Sequence, residues 1–133
     1  MTKTIWDLPI KTVSEANCSE HWAIKSKRHK MQQFLIRSAY SHESLAIGLP
    51  CVITMVRLSP RSLDDDNLTT SFKFIRDELS QCILRIKQKW HKNRRGAWIP
   101  LKGRHDNDPR ITWKYKQEKS KEPGIRIEIE FED

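Results

Sequence analysis

The sequence has little glycine, little cysteine and no long apolar run, and each shortage excludes a class of protein. Its four glycines form no glycine-rich loop of the kind that cradles nucleotide phosphates. The three cysteines, Cys18, Cys51 and Cys82, are odd in number and widely spaced, which fits neither a disulfide framework nor a zinc site. No apolar stretch approaches the roughly 18–20 residues of a membrane span, and the first residues lack the apolar core of a signal peptide. We therefore expect a cytoplasmic protein with no membrane partner.

Acidic residues are missing from Leu79 to His105, a stretch that carries eight lysines and arginines. A second basic stretch runs from Lys25 to Lys30, and the chain of 133 residues has a formal net charge of +8. Such a surplus favours a nucleic-acid partner, because each phosphate that a basic side chain neutralises releases counter-ions. The alternative is a solvated basic surface, the usual role of charge runs. The predicted phosphate-contacting residues are Lys25, Lys27, Arg28, Lys92, Arg94, Arg95, Lys102 and Arg104.

Apolar periodicity predicts two main helices. The first begins at a capping Ser19 and runs to about Tyr40. Its apolar stripe consists of Ile24, Met31, Leu35 and Ala39. The second helix follows from apolar residues at steps of three and four, namely Leu68, Phe72, Ile75, Leu79, Ile83, Ile86 and Trp90. We expect Trp22 and Trp90 to be core residues, and Trp98 to anchor a mobile basic loop to the core after the second helix. The alternative for Trp98 is stacking on an unpaired base.

The strands are predicted from β-branched runs and from alternation. A short strand lies near Thr4–Trp6, and residues 51–58 are nearly continuously apolar, which is typical of a strand covered on both faces. Two alternating segments, 111–116 and 125–131, flank Pro123-Gly124 and predict a closing hairpin. The fold class is therefore α+β, a single domain over residues 1–133. Two main helices pack on a mixed sheet that ends in a C-terminal hairpin.

An acidic knot, residues 64–66, stands where the apolar strand gives way to the second helix. In an extended segment, residues two apart point to the same side, so Asp64 and Asp66 would direct their carboxylates at one cation. Mg²⁺ prefers such hard oxygen ligands and keeps several of its waters. A metal held in this way activates water and stabilises charge on a phosphodiester. The knot therefore predicts a metal site.

Three further residues bear on this site. Asp106 or Asp108 would complete the ligand shell if the loop before residue 111 folds back. Lys73 follows Asp66 by seven residues, or two helical turns, and would offset charge on a phosphate oxygen from the same face. The alternative is that the knot caps the helix, because Asp and Asn are favoured at helix N-termini. A cap needs one or two acids rather than three in a row, and the two roles can coexist.

Three segments of the chain together resemble a known family. Arg61-Ser-Leu-Asp-Asp-Asp-Asn-Leu68 followed by Phe72-Lys-Phe-Ile-Arg-Asp-Glu-Leu79 resembles the acidic motif and following helix of the RusA family of Holliday junction resolvases, and is closest to its phage-borne branch. Asp106-Asn-Asp-Pro-Arg-Ile-Thr-Trp-Lys-Tyr115 resembles that family's second acidic motif. Asn17, Glu20-His-Trp22 and residues 25–28 are similar to its polar N-terminal signature. The resemblance covers about residues 15 to 131.

The resemblance implies a homodimeric α+β enzyme that needs Mg²⁺, with Mn²⁺ as a substitute, and that nicks branched DNA in pairs during recombination and repair. Asp64 and Asp66 match the first two catalytic, metal-binding acids. Asp108 matches the third, with Asp106 as its rival under a shifted alignment. Lys73 resembles the catalytic lysine of members with this spacing, and Asn17 joins the DNA-contacting residues. Residues 81–105 are longer and more basic than the family pattern.

Two other functions stay open on the sequence. One is a non-catalytic nucleic-acid-binding protein on the same fold, in which the acids serve only as helix caps. The other is a structural protein that binds an acidic protein surface through residues 85–104, for which no salt-sensitive DNA binding is expected. Within the nuclease interpretation, junctions, forks, flaps and RNA all remain open as substrates.

Overall fold

Six strands and three helices make up the part of the chain that the structure, a computed structural model, describes: residues 2–13, 21–43, 47–84, 90–100 and 107–132. Their order is β1 (Thr2–Leu8), α1 (Trp22–Glu43), β2 (Cys51–Ser59), α2 (Asp65–Ser71), α3 (Lys73–Leu84), β3 (Trp90–Lys92), β4 (Trp98–Pro100), β5 (Ile111–Lys119) and β6 (Gly124–Phe131). The short strand predicted near Thr4–Trp6 is confirmed and is longer than expected.

Four of the strands form one mixed sheet in the order β1-β6-β2-β5. β6 pairs antiparallel with both β1 and β2, whereas β5 pairs parallel with β2. β2 is buried along most of its length, as its continuous apolar sequence predicts. The predicted α+β class, with helices on a mixed sheet, is confirmed.

The predicted C-terminal hairpin is wrong in its pairing. β5 and β6 follow each other in the chain, but β2 lies between them in the sheet. β2 suits an interior position because both of its faces are apolar. β5 suits an edge because it exposes alternate polar residues, Thr112, Lys114 and Lys116, and charged residues on an edge strand discourage further pairing.

The core lies between the helices and one face of this sheet. Ile53 and Met55 of β2 and Ile127 and Ile129 of β6 are fully buried. From the helical side, the apolar residues predicted for the second helix are buried as expected, namely Leu68, Phe72, Ile75, Leu79 and Ile83. Of the other two residues predicted for this helix, Ile86 lies outside the described residues, and Trp90 lies in β3 and is exposed.

The stripe predicted for the first helix is confirmed at Leu35 and Ala39, which pack against the core, and is wrong at Ile24 and Met31. The core side of α1 consists of Gln32, Leu35, Ile36, Ala39 and Tyr40. Ile24 and Met31 are more than half exposed. The sequence offers apolar residues on two sides of this helix, and packing selects the side that carries Ile36. The predicted cap, Ser19, lies outside the described residues. No helix in the described ranges is long and apolar enough to cross a membrane.

The predicted second helix is two helices, α2 and α3, that meet at Phe72. The Phe72 N–H donates to the carbonyls of Thr69 and Thr70, which ends α2. The hydroxyls of Thr69, Thr70 and Ser71 donate to backbone carbonyls three or four residues earlier. Such bonds compete with the helical ladder and often bend helices. The predicted series of apolar residues at steps of three and four therefore crosses a break.

β3 and β4 form a separate two-stranded hairpin where the mobile loop was expected. Gly96 in its turn has φ 81°, a left-handed conformation that glycine adopts without strain. Trp90 lies in β3 and is 55% exposed, and Trp98 lies in β4 and is 65% exposed. Trp22, at the start of α1, is 74% exposed. The expectation that these three tryptophans pack into or against the core is therefore wrong.

Candidate metal and nucleic-acid site

The acidic knot occupies the N-terminal end of α2. Asp64 is the N-cap, with extended backbone, and its Oδ1 accepts the N–H of Asn67 at 3.0 Å. Asp65 and Asp66 lie in the first helical turn, and all three acids are exposed. The capping role is confirmed for Asp64. The predicted extended geometry for Asp64 and Asp66 is wrong, because Asp66 is already helical. Residues two apart in a helical turn do not face each other, so the backbone does not direct Asp64 and Asp66 to the same side as an extended segment would.

No lysine or arginine of the described residues forms an ion pair with the knot. The ion pairs among the described residues involve other acids. Three neighbouring carboxylates repel one another, and the positive end of the α2 dipole offsets only part of that repulsion. Within the ranges that the structure describes, the second oxygen of Asp64 and the carboxylates of Asp65 and Asp66 remain for solvent or a ligand. This donor set fits Mg²⁺, which binds through one or two carboxylates and retains waters.

The segment before the knot is fixed to the end of the sheet. The Leu63 N–H donates to Gln117 Oε1 at 2.8 Å, and Gln117 Nε2 donates to the Leu63 carbonyl at 2.7 Å. Arg57 donates from Nη1 to the Arg61 carbonyl at 2.6 Å. The same guanidinium donates from Nε to Thr12 Oγ1 at 3.1 Å, and its burial lowers the pKa of Arg57. Sequence reasoning missed Gln117 and Arg57, although a charge inside the apolar run of β2 was a signal for the second.

Asp108 is engaged locally, just before β5. Its carboxylate accepts the backbone N–H of Arg110 at 2.9 Å and both Nε and Nη2 of the same residue at 3.0 and 2.9 Å. The Asp108 carbonyl accepts the N–H of Ile111 at 3.1 Å. The side-chain and backbone bonds from Arg110 lower the pKa of Asp108 to about 2. Asp108 is therefore ionised throughout the neutral range.

Asp108 and the knot lie at opposite ends of β5. Ile111, next to Asp108, pairs with Cys51 at the start of β2, whereas Leu63, next to Asp64, is bonded to Gln117. The stretch from residue 111 to 117 spans roughly 20 Å at about 3.3 Å per residue. Among the described residues, no three His, Cys, Asp or Glu side chains converge on one point. The expected meeting of Asp108 with Asp64 and Asp66 does not occur within one chain, and Asp106 lies outside the described residues.

Lys73 begins α3, beyond the break at Phe72, so the two-turn argument that placed it on the face of Asp66 does not hold. Its side chain is exposed, and its Nζ lies 5.6 Å from the centroid of the Phe74 ring. Phe74 in turn stacks on His29 of α1, with ring centroids 3.6 Å apart. Lys73 therefore lies beside α1, and it makes no ion pair with the knot in the described part of the chain.

The basic stretch of α1, Lys25 to Lys30, lies at the same end of the α1–α3 helix pair as the knot. His29 contacts Phe74, and Arg37, further along α1, contacts Glu78, further along α3, so the two helices run in the same direction. Lys25, Lys27 and Arg28, which are predicted to contact phosphates, precede His29 in α1. They therefore lie toward the end of α3 that joins α2. Lys92, Arg94 and Arg95 lie in the β3–β4 hairpin. The predicted residues Asn17, Lys102 and Arg104 fall outside the described residues.

Comparison with known proteins does not extend this description. The chain matches no family model and no curated protein. The resemblance to the RusA family rests on the three sequence segments that carry it and stays a prediction.

Proposed function

We propose that the chain is a Mg²⁺-dependent endodeoxyribonuclease that cuts branched DNA as a homodimer. The single observation that carries this proposal is the acidic knot: three exposed carboxylates at one helix end, with no basic partner among the described residues, in a chain of net charge +8. The negative charge of the knot repels an anionic substrate, so a bound cation is needed for a substrate phosphate to approach it. The free thiols of Cys51 and Cys82 are consistent with a cytoplasmic location.

The residues divide the work in the following way. Asp64, through its second oxygen, and Asp66 would hold the ion, while Asp64 Oδ1 keeps the first turn of α2 in place by capping Asn67. A bound Mg²⁺ lowers the pKa of a coordinated water and stabilises charge on the phosphate. Lys25, Lys27 and Arg28 contact the DNA backbone near the cut, because they lie at the same end of the helix pair. Lys73, also at this end, adds positive charge.

A homodimer accounts for the distance between the acidic segments. One chain carries the knot at one end of β5 and Asp108 at the other. In a two-fold dimer, a contact between the knot of the first copy and Asp108 of the second is repeated between Asp108 of the first copy and the knot of the second. Two composite sites would then form, each with Asp64 and Asp66 from one copy and Asp108 from its partner. Two such sites suit paired nicks in a branched substrate.

The rival function is a non-catalytic nucleic-acid-binding protein, and the observed capping bond of Asp64 favours it. A cap explains one acid of the knot without any metal. It does not explain Asp66, which has no capping bond and is exposed. The two functions therefore differ in what they require of Asp66.

The test is nicking of a labelled four-way DNA junction by the wild type and by Asp66→Asn. We expect Mg²⁺-dependent nicking by the wild type, a loss of at least 100-fold in Asp66→Asn, and unchanged binding of the junction in EDTA. Asp64→Asn is the matched variant, because Asn caps a helix about as well as Asp. It should keep wild-type stability and lose nicking, whereas Asp64→Ala should also lose about 0.5–2 kcal/mol of stability. Wild-type protein that cuts no branched DNA with Mg²⁺ or Mn²⁺ would establish the rival.

A further inference from the structure

The β3–β4 hairpin presents a surface that the proposed catalytic site does not use. Lys92 pairs directly with Trp98, so their side chains lie on the same face of the hairpin. Trp90 precedes Lys92 by two residues and shares that face. We define the tryptophan face as Trp90, Lys92 and Trp98. Both indoles are more than half exposed, and neither belongs to the hydrophobic core.

The turn of the hairpin is held by its own bonds and carries further positive charge. Asn93 Oδ1 accepts the N–H groups of Arg95 at 3.0 Å and Ala97 at 2.9 Å. The Asn93 N–H donates to the Ala97 carbonyl at 2.9 Å, and the Gly96 N–H donates to the Asn93 carbonyl at 3.1 Å. Arg94 and Arg95 are both exposed on this turn. Residues 90–100 contain three basic residues and no acid.

An isolated two-stranded hairpin is only marginally stable in water, and two exposed indoles add to the unfavourable contact with solvent. A ligand for this face must therefore be anionic and must offer flat apolar surface. Unpaired nucleic-acid bases meet both conditions, since every base has a π-face and is joined to a phosphate. The bases of an intact duplex are already stacked on one another. An acidic protein surface would match the charge but would not require two indoles.

The spacing of the two indoles also suits a single strand. Trp90 and Trp98 are diagonal neighbours across the hairpin, which places such residues about 7–8 Å apart. Nucleotides of a stacked strand follow one another at about 3.4 Å. Two indoles at this separation can therefore contact bases one or two nucleotides apart, with Lys92 between them for the backbone.

We propose that the tryptophan face binds unpaired bases of DNA by stacking, while Arg94 and Arg95 contact the adjacent phosphates. The choice of DNA rests on the proposed function; the stacking surface itself does not. On a fork or a flap, this face holds the unpaired bases beside the branch.

The test measures binding of a fluorescein-labelled 20-nucleotide oligo(dT) in EDTA, where no cutting takes place, by fluorescence anisotropy. Trp90→Leu and Trp98→Leu should each weaken binding roughly 5- to 150-fold, the range of stacking losses per base. Trp98→Phe keeps an aromatic ring and should stay within a few-fold of wild type. Phe34→Leu is the matched control, because Phe34 is an exposed aromatic residue that lies on α1 beyond the basic stretch. It should bind as the wild type does.

A 20-base-pair duplex and an oligo(rU) of equal length are the comparison ligands. The leucine variants should lose little affinity for the duplex, and oligo(rU) shows whether the face requires DNA. Wild-type affinity of both leucine variants for oligo(dT) would overturn the proposal. So would an equal loss on single strand and duplex, or a change in oligomer mass by sedimentation without a change in affinity, which would assign the face to a second copy of the chain.

Mg²⁺-dependent nicking of a junction by the same proteins separates the two proposals. If the wild type cuts but the leucine variants bind oligo(dT) normally, the stacking surface fails and the nuclease stands. If the wild type never cuts but the leucine variants lose oligo(dT), the nuclease fails and the stacking surface stands.

Discussion

Cys51 shows how burial governs a single side chain at the residue scale. It begins β2, is 2% exposed, and its N–H donates to the Arg110 carbonyl at 2.9 Å. Burial, together with the negative charge of Asp108, raises the pKa of the Cys51 thiol to about 11. The thiolate is the reactive form of cysteine. The native fold therefore protects this residue from alkylation.

We expect iodoacetamide at pH 9 to label Cys51 in the native protein at least roughly 50-fold more slowly than in urea, because an unfolded thiol titrates near 8.5. The folded pKa lies above the unfolded one, so the stability linked to this proton is complete below about pH 8.5 and is lost as the pH rises toward 11. Peptide mapping by mass spectrometry measures the labelling. The stability of Cys51→Ala should fall less than that of wild type over the same pH range. Equal labelling of native and unfolded protein would contradict this prediction.

The sequence revealed the acidic knot at the residue scale, but not the arrangement of its members. Three acids in a row are visible in any sequence, and the capping preference of Asp predicted the role of Asp64. Whether Asp66 is extended or helical depends on where α2 begins, which the first-turn bonds decide. The link between Leu63 and Gln117 joins residues far apart in the chain, and no local pattern records it.

At the scale of elements, the Arg37–Glu78 ion pair joins α1 to α3. Arg37 Nε and Nη2 contact Glu78 Oε1 at 2.7 and 2.6 Å. The Glu78 side chain is 6% exposed, whereas that of Arg37 is 60% exposed. The carboxylate thus depends on Arg37 for compensation, while the guanidinium can turn to solvent. Removing Arg37 therefore destabilises the fold more, because it leaves a buried charge uncompensated, than removing Glu78, which leaves Arg37 in contact with solvent.

Arg37→Ala should destabilise the fold by about 1.5–3 kcal/mol, because it leaves a buried carboxylate without its charged partner. The double variant Arg37→Met, Glu78→Leu removes both charges and should recover much of that loss. Urea unfolding followed by circular dichroism measures both. A loss below about 0.5 kcal/mol for the single variant would show that Glu78 finds water or another donor.

Periodicity located the helices and the main strands but failed where two signals competed. The steps of three and four that ran from Leu68 to Trp90 continued across the bend at Phe72 and into β3. Thr69, Thr70 and Ser71 carry the signal for that bend, because such residues compete for backbone carbonyls. Asn93 and Gly96 carry the signal for the hairpin turn. These polar and glycine residues leave the spacing of the apolar residues unchanged. Apolar periodicity alone therefore detects neither the bend nor the turn.

At the scale of the whole molecule, the separation of the acidic segments makes a sharp prediction about mixed dimers. Asp66→Asn and Asp108→Asn should each be inactive as homodimers. Coexpressed with different tags and purified through both, they form a mixed dimer. One composite site then carries both substitutions, and the other carries none. That dimer should nick a junction on one strand, with about half the wild-type number of sites.

If each site were built within one chain, both sites of the mixed dimer would carry a substitution, and the dimer would be inactive. Activity of the Asp108→Asn homodimer would remove Asp108 from the site altogether. The separately purified homodimers, mixed without exchange of subunits, are the control.

The order of strands in the sheet could not be derived from the sequence. Alternation in residues 111–116 and 125–131 revealed two strands with one polar face, and their closeness in the chain suggested direct pairing. The apolar run of β2 requires neighbours on both sides and takes the position between them. The pairing of a strand depends on the burial needs of all the others, which only the complete sheet satisfies.

The position of β6 between β1 and β2 has a consequence for synthesis of the chain. β1 pairs only with β6 in the described sheet, so Leu8 cannot pair until Ile125 has been synthesised. On the order of 100 residues separate these two strands, so at about 5–20 residues per second the ribosome needs several seconds or more to deliver the partner. Throughout that interval the amino-terminal segment has no strand to hold it. A chaperone that meets the nascent chain during that interval would find β1 without its partner strand.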